Sequence, residues 1–178
     1  MDKNAIKKFA IWAREDLMRR VSAKAEEYGI SPGGIGENSA VSAHGRPLSG
    51  VEQAQRRQLV ERVRREGYER VVEEAAYTWF NRFIALRFME VNNYLPSRVR
   101  VFTNEENQFR PQIMAEALHL ELEGLDRDRV IALKQANDDG ALYKYLLITQ
   151  CNALSAVLPR MFQRIEDCTE LLFPDNIL

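Results

Sequence analysis

The chain has few of the residues that build reactive centres. Its 178 residues include two cysteines, Cys151 and Cys168, and two histidines, His44 and His119. The cysteines lack CxxC spacing and lie in apolar surroundings, which excludes a zinc site or a disulfide framework and predicts structural thiols in a cytoplasmic protein. His44 stands in a loop with no neighbour to make it a ligand or a base, and His119 lies within ALHLELEGL, where a structural role is expected. Glu121 and Glu123, two apart on a helix, point in different directions and form no acid/base pair. GxSxG, HExxH, Walker A and GxGxxG patterns are all absent. The opening MDKNAIKKFAIWARED is charged throughout and is no signal peptide. The longest apolar run is broken by Asn81, Arg82 and Arg87, so no membrane span or membrane partner is expected. A net charge of −1 argues against a bulk nucleic-acid binder. On residue chemistry alone the chain is a binding or scaffolding module: catalytic, cofactor-binding and metal residues are all absent.

What the sequence does have is helix. Residues 67–94, GYERVVEEAAYTWFNRFIALRFMEVNNY, form a long aromatic and aliphatic run without interior Gly or Pro. At helical pitch Arg70, Glu74, Thr78, Asn81 and Arg82 fall on one narrow side and apolar residues cover the rest, which predicts a central core helix wrapped by other elements. Arg87 projects among apolar neighbours and needs a partner. An internal ion pair, with Glu90 or a carboxylate from the C-terminal half, is the structural reading; contact with nucleic acid or another domain is the functional one.

Around this core helix, Lys3–Tyr28 reads as a long amphipathic helix between Asp2 and Gly29 as caps. Residues 29–49 read as a Gly/Ser/Pro-rich loop. Its Gly33, Gly34 and Gly36 lack the preceding strand and the Lys-Ser/Thr ending of a phosphate cradle. Ser49-Gly-Val-Glu52 is a capping box that starts a helix carrying Arg56, Arg57, Arg62, Arg64 and Arg65, the most basic stretch of the chain. Those five arginines are either phosphate contacts or an ordinary solvated helix face. Arg98–Thr103 alternates like a strand and Gln108–Arg110 could return, predicting a β-hairpin over 98–110. Helices are expected after Pro111, after Asp126 and after Asp138 or Asp139, with a short amphipathic turn over Met161–Ile165. Leu171–Leu178 stops in mid-pattern, as if the parent chain continued. Residues 1–100 carry 18 Lys and Arg against 13 Asp and Glu, a net +5, and residues 101–178 carry 7 against 13, a net −6. Only the first part could offer a basic face. The expected architecture is therefore mainly α over 1–178: long helix 3–28, loop 29–49 and helical core 50–178, bundled around the central helix, with one small hairpin.

The stretches Thr78–Asp126, Ala141–Leu154 and Met161–Leu178, with RFIALRFMEVN (Arg82–Asn92) the most specific, closely resemble the N-terminal region of the large adenine-specific DNA methyltransferases of BREX phage-resistance systems, the PglX family. The opening NAIKKFAIWAREDLMRRVSAKAEEYGI is similar to that family's start, and related helical leaders occur in restriction-modification enzymes that join methylase and specificity functions in one polypeptide. The resemblance implies a parent enzyme that transfers a methyl group from S-adenosylmethionine to adenine N6 of a flipped base. The family's Asn/Asp-Pro-Pro-Tyr/Phe motif and its glycine turn for the cofactor map onto no position here, so this segment by itself is expected to be inactive. It implies as partners the parent's own C-terminal methyltransferase domain, double-stranded DNA and other subunits of the defence complex. Two roles follow: support of DNA engagement or packing on the catalytic domain, or a protein–protein module that docks other subunits without touching DNA.

Overall fold

The computed structural model describes residues 2–37, 40–42, 44–163 and 168–174. Helix α1 spans Lys3–Glu27, strands β1 and β2 are Ile30–Ser31 and Gly34–Ile35, α2 is Gly50–Glu66 and α3 is Tyr68–Val91. Helices α4 (Gln112–Ala115), α5 (Arg127–Gln135) and α6 (Asp139–Ala153) follow, with a 3-10 turn at Leu154–Ala156. The chain is mainly α with one small antiparallel hairpin.

Its backbone divides into two compact units. Among the described residues one comprises 2–80 with 168–174 and the other 81–163, and α3 contributes its first half to one and its second half to the other. In the first unit Ala13, Leu17, Val21 and Ala25 recur every four residues on α1 and are buried, whereas Ile6 and Phe9, earlier on the predicted stripe, are exposed. Tyr28, Leu48 and Leu171 cluster at one end, and Trp79 packs edge-on against Phe173 with ring centroids 4.8 Å apart. The second unit is built on α6, whose run Leu146–Cys151 is buried on every side and on which α4 and α5 pack.

The caps fall where the residues place them. Asp2 accepts from the Asn4 and Ala5 N–H groups, Asp126 from those of Asp128 and Arg129, and Asp138 from that of Ala141. Ser49 and Glu52 form the reciprocal box. Gly29, at φ +71°, follows α1. Met161–Gln163 is turn and coil, and the rest of the amphipathic turn expected over Met161–Ile165 lies outside the described residues, as do the last four residues of the chain.

The hairpin is not at 98–110. It lies inside the 29–49 loop, where Ile30 pairs with Ile35 and Ser31 with Gly34 around the Pro32-Gly33 turn. Residues 98–110 contain no strand because Val101, Phe102 and Thr103 are all buried in succession, which a half-exposed strand of period two cannot do. The N–H groups of Val101 and Phe102 go to the Glu90 carboxylate instead of a ladder partner. Helix α3 is observed where the apolar run predicts it, but neighbours do not cover it all round: Tyr77, Ile84, Phe88 and Val91 are exposed, while Arg82, expected on the polar side, is buried and donates to the Gln163 carbonyl at 2.7 Å.

Candidate nucleic-acid interface

Helix α2 carries the five arginines, and folding uses them unequally. Arg56 lies on the same stripe as the buried Leu59, three residues on, and is only 4% exposed. Its Nε donates to the Tyr28 carbonyl at 2.7 Å and its Nη2 to the Gly36 carbonyl at 2.8 Å, so it ties the end of α1 to the hairpin. Burial pulls its pKa below the usual guanidinium value. Such an arginine is spent on carbonyls and does not lie on an outward face. The signal was present in the sequence: Arg56, Leu59 and Val63 share one helical stripe.

Arg62 pairs with Glu66 (3.1 Å) and with Glu74 on α3, and Arg65 pairs with Glu66. These two guanidinium groups, Arg65 foremost, hold the Glu66 carboxyl below its usual range. Arg57 and Arg64 are exposed, and among the described residues neither has a hydrogen-bond or ion-pair partner. They stand seven residues apart, hence two turns and about 10 Å along one face.

At the start of α2, Glu52 accepts from the Ser49 N–H at 2.8 Å and from the Arg46 guanidinium at 2.7 Å. Burial works against its charge, but Arg46 and Ser49 outweigh that cost and hold the carboxyl at about 2. A groove of about 680 Å³ in the first unit, between α1 and the start of α3, is rimmed by charges that are already matched: Arg14 with Glu73, and Arg70 with Glu74.

Arg87 lies in the second unit. Its Nη1 pairs with Glu90 Oε1 and lies 3.2 Å from Thr103 Oγ1. Glu90, fully buried, also accepts from the Val101 N–H (2.6 Å), the Phe102 N–H (2.7 Å) and the Thr103 hydroxyl (2.7 Å). Tyr143, its hydroxyl pushed up in pKa by burial, donates to the Val101 carbonyl at 3.0 Å and fixes the same segment from α6. Cys151 is wholly buried, and burial pushes its thiol up to about 12, as befits a structural residue.

Among the described residues no group of His, Cys, Asp and Glu could hold a metal ion, and no helix is long and apolar enough to cross a membrane. His44 and His119 both sit in exposed turns. Among the described residues the sheet is a single pair of two-residue antiparallel strands.

By sequence the chain matches one region of adenine-specific methyltransferases of the PglX and BrxX type over nearly its whole length. Two such relatives are the adenine-specific methyltransferase PglX of Lacticaseibacillus casei (strain Zhang), 38% identical over 197 residues, and the adenine-specific methyltransferase BrxX of Escherichia coli O9:H4 (strain HS), 35% identical over 195 residues. The matches cover 97% and 99% of this chain and 16% of each relative, so the chain spans about one sixth of the length of these proteins. No protein-family model matches it.

Proposed function

We propose that the chain is the helical N-terminal region of a BREX-type adenine-specific DNA methyltransferase, and that it supports DNA engagement through the outer face of α2. Methyl transfer from S-adenosylmethionine to adenine N6 then belongs to the parent enzyme's C-terminal domain. The observation that supports the reading is the division among the arginines: Arg56 and Arg62 hold the fold together, while Arg57 and Arg64 remain exposed without a partner among the described residues. Two cations on one helix face suit successive phosphate contacts, which set position and affinity without reading sequence.

The test is the salt dependence of DNA binding by the full-length enzyme. Each phosphate contact contributes a slope of about −0.9 in log K against log salt. Arg57→Glu with Arg64→Glu is expected to weaken binding at low salt and to flatten that slope by roughly 2 units. An unchanged slope rejects the α2 interface.

A further inference from the structure

One line along α3 changes character halfway. In the first half it carries Arg70, Glu74 and Thr78, the expected finish of a solvent-facing surface. Continued at helical pitch past Asn81, the same side carries Ile84, Phe88 and Val91, which are 48%, 59% and 51% exposed. Tyr94, 62% exposed, extends the patch, its ring 6.0 Å from that of Phe88. Residues 81, 84, 88 and 91 follow alternating steps of three and four, the spacing with which one helix receives another, and the line itself bears no charge. Asn81 occupies the polar position that fixes register in such pairings.

This face is held ready. The opposite side of the helix is anchored by Leu86, Met89 and Glu90, all buried. The end is closed by Asn92, which donates to the Phe88 carbonyl at 2.8 Å, and by the Tyr94 N–H, which donates to the Met89 carbonyl at 2.7 Å. A helix docking there would lose little freedom of its seat.

We propose that the Asn81–Tyr94 face is the seat of an apolar helix supplied by the remainder of the same methyltransferase polypeptide, outside these 178 residues. This rests on the reading of the chain as one region of a larger methyltransferase, and it names what that region packs against. Area and length select the occupant. The four exposed side chains offer roughly 400–500 Å². Association of free molecules needs about 800 Å² on each partner, so the patch is too small to hold a second copy by itself. A segment of the same polypeptide arrives at an effective concentration near the millimolar range, where half that area suffices. The relatives, six times as long, contain ample chain to supply it.

Phe88→Cys in the full-length enzyme, labelled without DNA by a soluble maleimide and followed by peptide mass spectrometry, measures cover at the seat. Labelling at least about tenfold slower in the native than in the denatured enzyme is expected. Faster labelling overturns the proposal. In the same enzyme Val91→benzoylphenylalanine identifies the occupant on irradiation. A link to a residue of the same polypeptide beyond these 178 supports the proposal. A product of twice the mass, a link to another subunit, or no link overturns it. A parent polypeptide that proves to have no methyltransferase domain defeats the functional reading itself, whereas rapid labelling of the Phe88→Cys variant in a complete methyltransferase defeats only the docking.

Discussion

Glu90 accepts four hydrogen bonds from Arg87, Val101, Phe102 and Thr103, and so fastens the loop after α3 to the helix it leaves. Its burial is offset because both carboxylate oxygens face donors, two of them backbone N–H groups that have no other partner among the described residues. Glu90→Ala would strand those donors and the Arg87 charge together. We expect it to cost about 3–5 kcal/mol, read as a lowered urea midpoint, with the near-ultraviolet signal of the second unit lost first. A change below about 1 kcal/mol would mean that the clamp is replaceable by water. The contrast with Arg56 is instructive: Arg56 is recognisable from its place on an apolar stripe, whereas Glu90 shows its pairing with Arg87 in sequence but not its hold on partners eleven to thirteen residues away.

Among the elements, α2 shows how local signals and local charge combine. The capping box starts it, and the depressed Glu52 pKa makes that start sensitive to acid. Because the folded-state pKa, about 2, lies below the ordinary 4.5, the contribution is complete above 4.5 and is lost as pH falls from there toward 2. After allowance for solvent screening it amounts to about 1–2 kcal/mol. Glu52→Gln should therefore be less stable than the parent sequence at neutral pH, with the gap in urea midpoint closing as the solution is acidified through that window. A gap independent of pH would assign the effect to packing. The far end of α2 rests on Gly67, at φ +90° and ψ 148°, whose N–H bonds to the Val63 carbonyl while its own carbonyl receives the Val71 N–H. A Cβ there meets nothing within 4 Å, so Gly67→Ala tests backbone strain alone. We expect a loss of about 1–3 kcal/mol in equilibrium unfolding, and a loss near zero would show that the α2–α3 break tolerates an ordinary residue.

For the whole molecule, the question is which charges serve the fold and which remain for a partner. Arg62→Gln breaks pairs with Glu66 and Glu74 and should lower the stability read from the urea midpoint by about 0.5–1 kcal/mol while leaving the salt slope of DNA binding intact. Arg57→Glu with Arg64→Glu should do the reverse. If all three substitutions move the slope alike, the effect is net charge and not an interface. Arg56 is set apart by its place on the apolar stripe, but the separation of roles among Arg57, Arg62, Arg64 and Arg65 is a property of tertiary structure.

The sequence alone determined the long helices, most caps and the mainly α class, because the causes act within a few residues: Asp2, Ser49, Asp126 and Asp138 satisfy N–H groups two or three positions on, and apolar residues at helical spacing need a core. The helix expected from Pro111 to Gly124 is an exception: it ends after one turn, Gln112–Ala115, and no side chain caps it, so Glu121 and Glu123 lie outside any helix. The sequence also determined the absence of familiar catalytic motifs, which is a matter of composition and spacing. Only the tertiary structure decided that residues 98–110 form no hairpin, because the competing acceptor, the Glu90 carboxylate, reaches them from a different element. It likewise decided which acceptors the arginines of α2 meet and that the far half of α3 keeps an apolar face uncovered, since both depend on what chain segments distant in sequence bring alongside.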